Sequence, residues 1–118
     1  YAMRENRVYA TESGNVKLTV TGDTLCAHVS GEIDHHSALS MRRDVDNIIW
    51  NRTPTHLILD MSEINFMDSS GLGLIMGRYA LMQRIGGGLA VENPNDRIIK
   101  IFELAGLERI IKLFEESA

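Results

Sequence analysis

From residue 31 onward the chain alternates two hydrophobic patterns, and this alternation most constrains its fold. Ala38, Met41, Val45, Ile48 and Ile49 recur at helical spacing, and Thr53-Pro54 ends that stretch. Residues 56–61 follow, centred on the continuous apolar run Leu57-Ile58-Leu59, which fits a central strand covered on at least one face. Leu72, Ile75, Met76, Tyr79 and Met82 then form one stripe of a helix running to about Ile85, stopped by Gly86-Gly87-Gly88. Residues 89–92 read as a strand. Asn93-Pro94-Asn95-Asp96 opens another helix, Ile98, Ile101, Phe102 and Ala105 give its apolar face, and Gly106 closes it. Residues 110–114 read as a last short strand. Ahead of all this, Val16, Leu18, Val20 and then Leu25, Ala27, Val29 alternate with more polar residues about a Gly22-Asp23 turn, as in a hairpin. The expected fold is α/β, a mixed four- to five-stranded sheet with helices packed on it and right-handed crossovers. Residues 1–15 carry little pattern and are expected to be a flexible arm or an edge strand, with residues 16–118 as one domain.

The 118 residues suffice for one buried core. A net charge of −4 without a basic stripe argues against nucleic-acid binding. The single cysteine, Cys26, cannot form an internal disulfide and fits a small buried hydrophobe in a reducing compartment. No apolar run reaches bilayer length, because Arg78 interrupts the best one, and the opening residues lack a hydrophobic stretch. A cytoplasmic location and no membrane partner are expected.

The chemistry concentrates in Asn65-Phe66-Met67-Asp68-Ser69-Ser70-Gly71-Leu72-Gly73. It places a serine pair where a helix begins, at backbone N–H groups with no partner inside the helix and a dipole that favours negative charge. Such a place suits a phosphate, although Asp68, Ser69 and Ser70 also suit plain capping. Asp34 reads as the cap of the preceding helix, starting near His36. Adjacent His35 and His36 do not make a metal site without further ligands, and no cofactor is expected. His28 and His56 fall in strands and read as structural. Gly73 and Gly77 share a helix face, so either the sheet beneath or a partner above should approach closely. Leu74, Leu81 and Ile85 form a second apolar stripe, either an exposed interface or part of the core. No enzyme is expected. The serine lacks a Gly-x-Ser-x-Gly elbow, Gly86-Gly87-Gly88 lacks the Lys-Ser/Thr of a phosphate-binding loop, and the glycines miss the dinucleotide spacing. No set of base, nucleophile and oxyanion donors can be named.

Phe66-Met67-Asp68-Ser69-Ser70-Gly71-Leu72-Gly73 with Gly77-Arg78-Tyr79 resembles the signature of bacterial anti-sigma factor antagonists, which are single STAS domains. Gly31-Glu32-Ile33-Asp34-His35-His36 resembles the same family's Gly-Glu-hydrophobic-Asp-His-His block, a match that favours its sporulation (anti-sigma F) branch over the alternative, a general-stress branch. The segment from Ile85-Gly86-Gly87-Gly88 through Ile98 to Gly106-Leu107 is similar to the family's last strand-helix unit. The three blocks stand in family order, and the resemblance covers about residues 16–114.

The resemblance implies a STAS domain that binds an anti-sigma factor with serine kinase activity and so frees a sigma factor. It implies phosphorylation at Ser69, with Ser70 the alternative acceptor, and a serine phosphatase that resets the protein. ATP would belong to the kinase. The partner-binding residues it implies are Asp34, His35 and His36 in one loop and Asp68, Ser70, Gly71, Leu72, Gly73 and Leu74 in the other. The alternative is a STAS subunit of a stressosome or a lipid-transport complex. Family members usually continue past the last strand into a further helix, so contacts of that helix are not carried over.

Overall fold

The computed structural model describes residues 6–114. Six strands, three α-helices and a 3-10 turn succeed one another: β1 (Asn6–Tyr9), β2 (Val16–Thr21), β3 (Thr24–Ile33), α1 (His35–Arg52), β4 (His56–Met67), α2 (Ser69–Arg84), β5 (Gly88–Glu92), α3 (Asp96–Ala105), the 3-10 turn Leu107–Arg109 and β6 (Lys112–Phe114). All six strands form one sheet, in the same order in space as in sequence. β1, β2 and β3 pair antiparallel, whereas β3 to β6 pair parallel. The sheet is therefore mixed, as expected. It has six strands rather than four or five because Asn6–Tyr9 pairs with β2 as an edge strand, one of the two expectations for residues 1–15.

Two elements outrun their sequence patterns for one reason. The period-two alternation of β4 buries Leu57, Leu59 and Met61, and then burial skips to Ile64 and Met67. The phase breaks because β3 and β4 shift register between His28 and Ser30 and again between Gly31 and Glu32. Gly31 supplies a φ of 77° at the second irregularity, a conformation that costs glycine little. Past these bulges the two strands stay paired to Ile33 and Met67. The strand expected over residues 56–61 thus continues to Met67, and the Gly31 block is strand up to Ile33.

One face of the sheet carries the core. Leu18, Ala27, Leu59 and Val91 line up across four neighbouring strands, and all four are buried. Met41, Val45, Ile48 and Ile49 of α1 close over this core together with Ile75 and Met82 of α2 and Ile98 and Phe102 of α3. Cys26 lies on the other face of β3 and is only half-buried, so it is not the enclosed small hydrophobe its type suggests. Its thiol is pushed up to about 11, by burial first and then by the charges of Asp60 and Glu92.

α2 covers two stripes, which resolves the open alternatives at its surface. Ile75 and Met82 are sealed in the core, and Leu74 and Leu81 are also buried. Arg78, on the same face as Leu74 and Leu81, reaches Asp46 of α1. The second apolar stripe is thus covered by helix–helix packing and is not an exposed interface, while Met76 is turned outward instead of into the core. No helix among the described residues is long and apolar enough to cross a membrane.

Candidate functional site

The site forms where two parallel strands end side by side. Ile33 pairs with Met67, so the next residue of each strand, Asp34 and Asp68, leaves the sheet at neighbouring positions. A hydrogen bond from Asp68 N to Ile33 O (3.1 Å) ties the two loops together. Residues 34 apart in sequence are brought together by register alone.

Each aspartate caps the helix that follows. Asp34 Oδ1 accepts from Ser37 N at 2.8 Å, and Ser37 Oγ accepts from Asp34 N at 3.0 Å, a reciprocal capping box. Hydrogen bonding to the carboxylate from Ser37, first from its backbone N–H, holds Asp34 below its ordinary range. Asp68 Oδ1 accepts from Ser70 N at 2.8 Å, and Asp68 O accepts from Gly71 N at 3.0 Å. Two of the first amides of α2 are therefore already used by Asp68. The expectation that these N–H groups stand free for a phosphate is corrected to this extent.

Ser69 is the first residue of α2 and is exposed, whereas Ser70 is half-buried. His35 and His36 are exposed on the first turn of α1, beside the half-buried Asp34 and Asp68. Leu72 is half-buried and Gly73 exposed. Gly71 and Leu74 are buried, Gly71 beneath the surface and Leu74 along the groove between α1 and α2. At Gly71 the reason is steric: a Cβ there would collide with the Met67 side chain and crowd Ile33. Close approach therefore occurs at Gly71, not at Gly73 or Gly77. A Cβ at either of the latter meets nothing within 4 Å, which rules out the sheet as the cause of that glycine pair.

The sequence shows Arg78 as a break in an apolar run and as part of the Gly77-Arg78-Tyr79 signature, but not its partner. Arg78 is 6% exposed and lies between the helices, its Nε 2.7 Å from Asp46 Oδ1 and its Nη1 donating to Leu74 O at 3.2 Å. The Nε–Oδ1 contact is close, but it is not aligned as a hydrogen bond. Burial lowers the guanidinium's proton affinity against the pull of Asp46, and burial also raises the Asp46 carboxyl against the pull of Arg78 and Arg42. Arg78 helps to line a groove of about 360 Å³ that starts at His35 and Ser70 and runs between α1 and α2. A charged residue inside an apolar helical stripe was the available signal, since a buried arginine demands a partner.

Elsewhere, His28 Nδ1 and Asp60 Oδ2 stand 2.9 Å apart on the outer face of the sheet. Burial raises the Asp60 carboxyl, but hydrogen bonds from His28, Ser62 and Asn93 outweigh it, and the net direction is down. His56 is exposed at the start of β4. Among the described residues no group of three or more His, Cys, Asp or Glu is placed to hold a metal ion.

The family model for the STAS domain matches residues 15–118. An anti-sigma F factor antagonist of Paenibacillus polymyxa is 37% identical over 93 residues, 79% of this chain and 80% of that protein. An anti-sigma-B factor antagonist of Bacillus subtilis is 29% identical over 103 residues, 87% of this chain and 93% of that protein. The solved structure of the anti-sigma factor antagonist SpoIIAA in its unphosphorylated form superposes with a TM-score of 0.73 at 24% identity, covering 96% of this chain and 89% of that one. The phosphorylated form from Bacillus gives a TM-score of 0.67, covering 96% and 92%. These two likenesses bear on the fold, and the sequence matches carry the family. The chain belongs to the STAS-domain family, among its anti-sigma factor antagonists.

Proposed function

We propose that the unphosphorylated protein binds an anti-sigma factor that is also a serine kinase, through the surface formed by the two adjoining helix starts, and thereby frees a sigma factor. Asp34, His35 and His36 from one loop and Asp68, Ser69, Ser70, Leu72 and Gly73 from the other make up that surface, with Gly71 and Leu74 beneath it. The chain is the substrate of the kinase and not itself a catalyst. Ser69 is the acceptor, and a serine phosphatase resets the cycle.

The observation that carries this reading is the placement of Ser69. It is exposed at the first position of α2, next to two capping carboxylates and a second helix start. Among the described residues its hydroxyl has no hydrogen-bond partner. A phosphate there adds roughly −1.5 to −2 charges and three acceptor oxygens. Asp68 holds the amides of Ser70 and Gly71, so the phosphate projects into the partner's space and is repelled by Asp68 and Asp34. A 100-fold loss of affinity needs only about 2.7 kcal/mol, within reach of one or two charge-assisted contacts.

The test is incubation with ATP and a purified anti-sigma factor kinase of the sporulation type, read by intact mass and site mapping. One added phosphate on Ser69, absent from Ser69→Ala, is expected, together with loss of complex once the phosphate is on. A Ser69→Ala protein that still takes one full equivalent of phosphate would overturn the assignment.

A further inference from the structure

Beyond the helix starts, the surface between α1 and α2 forms a continuous trough. Two hollows of about 360 and 240 Å³ share Gly77 and Arg78. On α1, Leu39, Arg42, Asp46 and Trp50 line the trough at i, i+3, i+7 and i+11, one helical face about 16 Å long. Leu39 is 48% exposed at one end of that face and Trp50 57% exposed at the other. On α2, Gly73, Gly77, Ala80 and Arg84 stand at i, i+4, i+7 and i+11. Gly73, Gly77 and Ala80 thus present little or no side chain there, while Leu74, Arg78 and Leu81 also line the trough from α2.

Gly73 and Gly77 have no intramolecular reason to be glycine. Both lie inside an α-helix, where glycine is unfavourable. Neither is at a positive φ, and an added Cβ at either meets open space. A backbone left bare on an outer surface lets another chain approach closely.

The trough is also charged. Arg42, Arg78 and Arg84 line it against the single carboxylate of Asp46, in a chain whose net charge is −4. Asp46 stands 3.9 Å from Arg42 and 2.7 Å from Arg78, which leaves the trough with an excess of positive charge, and that excess attracts acidic groups.

We infer that the α1–α2 trough receives an amphipathic, acidic α-helix of the anti-sigma partner, seated on Gly73 and Gly77 between Leu39 and Trp50 with its carboxylates on Arg42 and Arg84. This rests on the proposed function and extends that surface from the helix starts along the two helices, past Gly73 to Gly77, Trp50 and Arg84. It accounts for an exposed tryptophan and an open glycine pair that the helix starts do not need. Helix-in-groove recognition uses this combination of an apolar trough and flanking charge.

The test is calorimetric titration of the whole unphosphorylated protein with the purified anti-sigma factor, using wild type, Gly77→Leu, Arg42→Glu and Ser69→Glu, each with its melting temperature. Gly77→Leu places a side chain in the trough and is expected to melt no lower than wild type while losing tenfold or more in affinity. Arg42→Glu is expected to lose a similar factor, and raising the salt should narrow the gap between it and wild type. If Gly77→Leu and Arg42→Glu bind like wild type while Ser69→Glu does not, the trough is overturned and the helix-start surface stands. If Gly77→Leu melts clearly lower, the glycine has an internal role and the trough argument falls. If wild type itself forms no complex, the functional reading falls and the trough falls with it.

Discussion

Gly71 and Gly73 stand two residues apart in one helix and look alike in the sequence, yet their surroundings differ completely. A Cβ at Gly71 collides with Met67, whereas one at Gly73 meets nothing within 4 Å. Gly71→Ala is therefore expected to cost about 1–3 kcal/mol by overpacking. Gly73→Ala should stabilise by up to about 1 kcal/mol through helix propensity. Urea unfolding of the two variants checks the pair, and equal shifts would contradict the packing described here. Cys26 gives a second residue-scale expectation. With its thiol at about 11, alkylation by iodoacetamide should be slow at pH 8 and accelerate steeply above pH 10. That it is cysteine was plain from the sequence. That Asp60 and Glu92 stand near it depends on the pairing of β3 with β4 and of β4 with β5.

At the scale of elements, the helix starts were the most legible features. Asp34 and Asp68 cap where the sequence placed them, because a cap acts on amides two or three residues away and needs no distant partner. Asp68→Ala should lose about 0.5–2 kcal/mol in chemical denaturation. Asp34 adds a pH dependence. Its folded carboxyl lies below the ordinary value of 3.8, so it binds protons less readily folded than unfolded. The stability it contributes is complete above the unfolded value and is lost as pH falls through the folded one. Melting temperatures from pH 6 down to pH 2.5 should fall less steeply for Asp34→Asn than for wild type. The ends of β3 and β4 were not legible, because their bulges break the period-two pattern while leaving the strands paired. The 3-10 turn at Leu107–Arg109 also escaped, since three residues carry no usable periodicity.

At the scale of the whole molecule, the decisive contact joins α1 to α2. Arg78 meets Asp46 across the helices, and removing the guanidinium leaves that carboxylate facing a groove. Asp46 keeps some solvent contact, its side chain being 23% exposed, so Arg78→Ala should cost less than the roughly 3–5 kcal/mol of a fully enclosed pair, on the order of 2 kcal/mol. The double variant Arg78→Ala/Asp46→Ala should lose less than the sum of the single changes, a coupling that thermal or urea unfolding of all three variants measures. Spacings of a few residues carry the α/β class, the order of helices and strands from β2 to β6, the caps and the position of Ser69. Only the tertiary structure decided that Asp34 and Asp68 adjoin, that Leu74 and Leu81 lie beneath a second helix, and that Arg78 is paired. Those facts depend on strand register and helix packing between segments about 30 residues apart, where local periodicity carries no information.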